Sequence, residues 1–302
     1  MKNKFISAII LLVIILPLNG YSQDGYILSY FGGSKYQEAM YLAYSYNGLN
    51  WIVLNDNNPV LWATLGNKSI RDPYIVRNQK GSFVIMSTDS WNSEYALFWD
   101  SEDLINFKNE RLVRLNDMKQ HVWAPECIFD STSQKYLVYW SGDIIYANTT
   151  SDFKTFSKPE KFFDPGHICI DANITKDKGT YYLIYKDERG ENANTTRYKS
   201  LKVAKSKTLQ AGSFMTYTPD YITDHMVEGP ACIKDLKKDI WYLYYDYFMQ
   251  GGIWGCSYTN DLSTGKWSKM SPSEFSLPNG VRHGNAIKVN ALELKKIIDK
   301  WK

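Results

Sequence analysis

Five polar residues stand where apolar strands are expected. Asp72 falls in "IRDPYIV", Glu126 in "WAPECI", Asp171 in "IDANITKD", Glu228 in "VEGPACI" and His283 in "VRHGNAI". A charged side chain inside an apolar strand is costly unless it is paired or faces a wet cavity. Carboxyl groups gathered at one cavity cannot all ionise at ordinary pKa values, so at least one is pushed upward. A protonated carboxyl beside an ionised one is the pair that glycosidic bond cleavage needs. One protonates the leaving oxygen, and the other activates water or attacks as nucleophile. One such motif alone reads as a strand-entry turn. Five in register, each with a polar group at nearly the same place, point to a shared cavity.

The elements that must position them repeat along the chain. "IRDPYIV" is followed by "GSFVIMST" and "EYALFWDSEDLINF"; "WAPECI" by "QKYLVYWS" and "GDIIYANTTSDFKTF". "IDANITKD" leads to "GTYYLIYKDE" and "KSLKVAKSKTL", and "VEGPACI" to "DIWYLYYDYF" and "GIWGCSYTNDLSTGKW". The five polar residues lie 54, 45, 57 and 55 positions apart, a period slightly above that of common propeller repeats. One small sheet per repeat, arranged radially, is a propeller blade. The fifth copy lacks outer strands, and the N-terminal "GYILSYF" and "AMYLAYSYNGLNW" supply them, closing the ring and hiding its edges. In the tail "ALELKKIIDKWK", Leu294, Ile297, Ile298 and Trp301 share one helical face and predict a helix docked outside. The expected fold is all-β: a five-bladed β-propeller over residues 23–302, its last blade closed by N-terminal strands, with a short C-terminal helix.

The ordered motifs resemble glycoside hydrolase family 43, whose members are five-bladed propellers that invert anomeric configuration with three carboxylates. The resemblance covers nearly the whole chain after the leader. It implies Asp72 as the general base that activates water and Glu228 as the general acid. Asp171 is implied as the residue that orients the acid and raises its pKa, and His283 as a channel histidine that in many members holds a central water or calcium ion. No cofactor is required, though a structural calcium in the channel is one implication. Two departures stand out. Blade three has "DANI" where many members have Asp-Pro, and blade two has Glu126 where Asp is common, so Glu126 is read as lining the channel or touching substrate. Further substrate contacts are expected from Arg71, Trp91, Trp123, Arg189, Arg282 and His283.

The family's common substrates are α-L-arabinofuranosides and β-xylosides, with some β-galactosides. Only a short tail follows His283, without the C-terminal β-sandwich of many xylosidases. The expectation is therefore an exo-acting α-L-arabinofuranosidase, with β-xylosidase, exo-β-galactosidase and a non-catalytic glycan-binding propeller as alternatives. "RDP" and "PEC" also echo retaining fructan-cleaving propellers, but "DGYILSYFGG" offers no equivalent of their nucleophile strand.

Composition bounds the partners. Lys2 and Lys4, the apolar run from Phe5 to Leu18, and then Gly20 and Ser22 form the pattern of a cleaved secretory signal over residues 1–22. Export to the periplasm or beyond is expected, with no membrane span in the mature chain. The net charge of +3 includes both leader lysines, and no basic stripe follows, which excludes a nucleic-acid partner. Aromatic residues make up 15% of the chain; they suit both strands and sugar faces. Cys127, Cys169, Cys232 and Cys256 allow either two disulfides or buried thiols, and no metal-ligand spacing exists. The expected partner is an oligo- or polysaccharide, bound by a monomer.

Overall fold

Strands form where aromatic and β-branched runs alternate with Gly-, Asn- and Asp-rich turns. The computed structural model describes residues 23–32, 38–190 and 197–302; the expected leader lies outside them. β1 (Gly25–Gly32), β2 (Met40–Ser45) and β3 (Ile52–Val53) come first. Next are β4 (Arg71–Arg77), β5 (Phe83–Thr88), β6 (Tyr95–Ser101) and β7 (Phe107–Arg114). The second full sheet is β8 (Trp123–Asp130), β9 (Lys135–Ser141), β10 (Ile145–Thr150) and β11 (Glu160–Phe163). The third is β12 (Cys169–Asp177), β13 (Thr180–Asp187), β14 (Ser200–Ser206) and β15 (Met215–Thr216). The fourth is β16 (Glu228–Lys234), β17 (Trp241–Asp246), β18 (Trp254–Thr259) and β19 (Ser268–Lys269). β20 (Val281–Val289) and α1 (Ala291–Trp301) end the chain.

Each sheet is an antiparallel blade of four strands, and the fifth has the order β20-β1-β2-β3. The innermost strands β4, β8, β12, β16 and β20 touch in sequence, and β20 returns to β4, so the ring is closed. Closure is a β1–β20 ladder, with Tyr26 opposite Lys288 and Ile27 opposite Ile287. Between blades lie apolar layers such as Phe98, Tyr139, Trp140, Phe162 and Tyr185. Leu294 and Ile297 of α1 bury against β1 and β5 residues, as the helical face predicted. All four cysteines are free thiols, so neither disulfide exists. Among the described residues no helix is long and apolar enough to cross a membrane.

The outer turns recur for a chemical reason. In "SEDLINF" the Ser101 hydroxyl accepts from Leu104 N–H at 2.9 Å and Asp103 accepts from Ile105 N–H at 2.9 Å. Thr150 and Asp152 do the same for Phe153 and Lys154 at 3.0 and 2.8 Å. These side chains replace backbone partners at the turn.

The inner strands share a second device. In β4, Asp72 and Pro73 together face Ser87 alone. Ala124 and Pro125 face Trp140, Asp171 and Ala172 face Tyr185, and Gly229 and Pro230 face Tyr245. His283 is the extra residue in β20. Each is a β-bulge, which leaves a residue out of the ladder and re-aims its side chain. Proline suits such a place because it has no N–H to pair. Four of the five bulges put a residue at positive φ: Asp72 at 49°, Ala124 at 43°, Asp171 at 52° and Gly229 at 61°. For a residue with a side chain this costs about 1–2 kcal/mol, strain of the kind that persists at functional sites.

The bulges correct the expected register. Asp72, Ala124, Asp171, Gly229 and His283 are the equivalent positions, so Ala124 and Gly229 occupy the places expected for Glu126 and Glu228. Glu228 lies one residue earlier, level with Arg71, Trp123, Ile170 and Arg282. Glu126 lies two residues later than Ala124, level with Tyr74, Asn173, Ala231 and Asn285. That lower ring ties blades together: Asn173 donates to Glu126 at 2.9 Å, and Asn285 accepts from Ile75 N–H at 2.8 Å.

Ring closure admits no side chain at one position. A Cβ on Gly284 would lie 1.9 Å from the Ser29 carbonyl oxygen across the β1–β20 ladder. Gly284→Ala is expected to destabilise the fold by about 2–4 kcal/mol through forced separation of these strands, read as a lower urea midpoint in equilibrium unfolding.

Candidate active site

The upper two rings open into a cavity of about 710 Å³ at one mouth of the channel. All five residues of the uppermost ring line it: Arg71, Trp123, Ile170, Glu228 and Arg282. Of the bulge ring, Asp72, Asp171 and His283 do so. Strand alternation would send Arg71 and Asp72 to opposite faces; the bulge brings both to the cavity.

Asp72 is the best-supported carboxylate. Its Oδ2 accepts from the Thr88 hydroxyl at 2.7 Å, and that hydroxyl accepts from Ala124 N–H at 2.7 Å, which fixes the direction of its proton. Asp72 Oδ1 lies 3.3 Å from His283 Nδ1. Burial alone would raise the Asp72 pKa, but His283, Arg71 and Thr88 together pull it below the ordinary aspartate value.

Asp171 sits on the other side of the same imidazole, with Oδ2 3.8 Å from His283 Nδ1. That oxygen also accepts from Gly229 N–H at 3.1 Å. Burial, with Glu228 and Asp72 as neighbouring negative charges, pushes Asp171 up to about 7 against the pull of His283 and Lys186. His283 itself rises to about 10: burial opposes the charge, but Asp171, Asp72 and Glu126 outweigh it. The ring fits only because Gly229 has no side chain, since a Cβ there would lie 2.6 Å from His283 Cγ.

Glu228 is held by two cations. Lys186 Nζ donates to Oε2 at 2.8 Å and Arg282 Nη2 to Oε1 at 3.2 Å. Arg282 Nε donates in turn to the buried Asp246, a carboxyl that burial raises to about 7. Lys186, only 2% exposed, also pairs with Glu188 at 2.7 Å and lies 4.2 Å from the centre of the Phe248 ring. Lys199 holds Glu188 from behind.

An aromatic wall stands opposite. Trp91 and Trp123 meet edge to face at 5.3 Å, and Trp123 Nε1 donates to Trp91 O at 2.8 Å. His121 stacks on Trp123, and the Arg71 guanidinium lies 4.5 Å from the Trp91 ring centre while pairing with Glu38 at 2.6 Å. Trp91 is 56% exposed, a flat face open to a ligand.

Two expected contacts lie elsewhere. Glu126 is buried beneath the cavity, accepting from Tyr139 at 2.8 Å and from Asn173, with burial raising it to about 8. Arg189 turns away and grips Asp187 through two bonds of 3.0 and 2.7 Å. Sequence reasoning missed Lys186, Glu188, Glu38, Thr88, Phe31 and Phe248. Lys186 carried the same signal as Asp72, a charge inside the apolar strand "YYLIYKDE", but on a second strand.

The calcium implied beside His283 does not fit this donor set. Such an ion takes six to eight oxygens, and among the described residues no three His, Cys, Asp or Glu side chains converge as a metal-binding group. His283 Nδ1 is turned to two carboxylates, and the imidazole itself occupies the place between them.

Comparison with known proteins gives the family and the fold. A family model of the family 43-related type, described as a probable glycosyl hydrolase domain, matches residues 22–295. An α-L-arabinofuranosidase of Bifidobacterium longum subsp. longum is 25% identical over 200 residues, covering 52% of this chain. That match spans only 19% of the relative's length. In shape, an endo-1,4-β-xylanase from Bacteroides thetaiotaomicron superposes with a TM-score of 0.64 at 16% identity, over 82% of this chain and 90% of that one. An α-L-arabinofuranosidase from Clostridium thermocellum gives 0.60 at 13% identity, over 80% and 85%.

Lys186→Met would take one of two cations from Glu228 and from Glu188, leaving them Arg282 and Lys199. The expected loss is about 2 kcal/mol, read as a lower urea midpoint in equilibrium unfolding.

Proposed function

Because the chain belongs to the family 43-related glycosyl hydrolases, we propose that it is an exported, exo-acting α-L-arabinofuranosidase working on plant-type glycans. The single observation that carries this reading is the convergence of Asp72, Asp171 and Glu228 on one cavity in three different electrostatic settings. As an inverting enzyme it needs a base that is ionised and an acid that can donate. Asp72, held ionised by His283 and Thr88, takes a proton from water as the water oxygen bonds to the anomeric carbon. The glycosidic C–O bond breaks on the opposite side, and Glu228, freed by the bound sugar from one of its two cations and protonated on that oxygen, delivers the proton to the departing oxygen. Asp171, near neutrality and close to Glu228, sets the charge that Glu228 meets. Arg71, Arg282 and Trp91 hold the sugar. The arabinofuranosidase names among the relatives support the choice of sugar, and a cavity walled by Trp91 and Trp123 on one side and Lys186 and Phe248 on the other supports terminal action.

A panel of 4-nitrophenyl α-L-arabinofuranoside, β-D-xyloside and β-D-galactoside tests this. The arabinofuranoside should be turned over best, and Asp72→Asn should lower kcat by about a thousandfold or more. Turnover of only the xyloside or galactoside would reassign the sugar. Glu228→Gln should be hurt least on this good leaving group and most on an alkyl arabinofuranoside. No turnover of any glycoside, alkyl ones included, would favour a glycan-binding propeller.

Thr88→Val removes a hydrogen bond to ionised Asp72, so the Asp72 pKa rises towards its ordinary value. A base must be ionised to act, and activity falls as pH drops through its pKa. The acid limb of kcat/KM should therefore move to higher pH in Thr88→Val, with the alkaline limb unchanged.

A further inference from the structure

A second cleft lies beside the catalytic cavity, on the blade of β12–β15 and the segment that leads from it to β16. It encloses about 410 Å³ and is lined by Arg189, Arg197, Tyr198, Lys202, Tyr221 and His225, with Pro219 and Asp220 at its edge. The two spaces share a wall. Glu188 faces the catalytic cavity and the next residue, Arg189, faces the cleft. Lys199 reaches the Glu188 carboxylate and its carbonyl, while the preceding Tyr198 faces the cleft.

The floor of the cleft is built rather than incidental. Asp187, wholly buried, accepts two bonds from Arg189 and one from Tyr221 at 2.8 Å. Arg189 is thereby fixed 4.4 Å from the Tyr198 ring centre. Above that floor stand two further cations. The Arg197 guanidinium lies 5.4 Å from Tyr198 and the Lys202 ammonium 5.4 Å from Tyr221. Among the described residues, neither Arg197 nor Lys202 has a carboxylate partner within ion-pair reach; Lys202 meets only the Pro219 carbonyl, at 3.4 Å. With Arg189 matched by Asp187, two cations, Arg197 and Lys202, face one lining carboxylate, Asp220.

We propose that this cleft is an accessory subsite for an anionic sugar, a hexuronate carried by the same glycan whose terminal residue enters the catalytic cavity. A planar carboxylate matches the fork of Arg197 and the point charge of Lys202. The tyrosine rings offer apolar faces to a pyranose between them. The proposal takes the sugar nature of the ligand from the glycosidase reading, and its test does not need turnover.

The experiment is calorimetric titration of the full protein at low salt with two matched pairs: tetragalacturonate against its carboxyl-reduced form, and glucuronate-substituted xylotetraose against xylotetraose. In at least one pair the charged member should bind about tenfold more tightly, the worth of one charge-assisted contact. Arg197→Ala/Lys202→Ala should erase that difference while leaving 4-nitrophenyl glycoside turnover unchanged. Lys296→Ala/Lys300→Ala, which removes the same charge from α1, should preserve it. Equal binding within both pairs overturns the proposal, as does an equal loss in both double variants. If the charged oligosaccharide binds through Arg197 and Lys202 but no glycoside is hydrolysed, the subsite stands and the glycosidase reading falls.

Discussion

The site depends on one buried cation. The His283 imidazole is wedged between Asp72 and Asp171, with its Nδ1 3.3 and 3.8 Å from their oxygens. Two carboxylates so close to each other, out of water, would repel and drive at least one to neutrality. With a positive ring between them they divide: Asp72 is pulled low and Asp171 stays near 7. An ionised carboxylate at Asp72 is then available at neutral pH, and the charge beside Glu228 is set by a group that titrates near neutrality. The charge on His283 is stable only because the two carboxylates and Glu126 beneath offset the cost of burying it.

Backbone geometry makes that arrangement possible. Five inner strands carry one residue too many at the same level, and the excess turns Asp72, Asp171 and His283 toward the axis together. Where no acid is wanted, the same bulge holds Ala124 or Gly229. Gly229 does two jobs: it takes the positive φ and leaves room for the imidazole. One ring above, Arg71, Trp123, Glu228 and Arg282 form the rim; one ring below, Glu126, Asn173 and Asn285 lace the blades. The cavity rim, the cluster of Asp72, Asp171 and His283, and the ties between blades thus occupy successive levels of the same five strands.

Much of this was legible in the sequence, for identifiable reasons. The repeat of an inner polar strand, an aromatic strand and a Ser/Thr–x–Asp turn gave five blades, and unpaired "GYILSYF" gave the closing strand. Asp72, Asp171 and His283 stood out because charge in an apolar strand must have a partner. Glu126 was misplaced because the polar residues themselves were aligned, and in blade two the bulge position is held by the apolar Ala124, two residues earlier. Lys186 escaped because its partners Glu228 and Glu188 come from other segments, so no local pattern announces the pairing. Arg189 looked free in sequence, yet the neighbouring Asp187 claims it.

The most direct test is the protonation of His283 itself. With only four histidines in the chain, ¹⁵N-labelled histidine gives few enough imidazole signals to assign against His283→Gln. Both ring nitrogens of His283 are expected to keep the shifts of an imidazolium from pH 6 to beyond pH 8. A His283 that loses its proton with a midpoint near the usual 6.5 would contradict the account, because Asp72 and Asp171 would then face each other across a neutral ring.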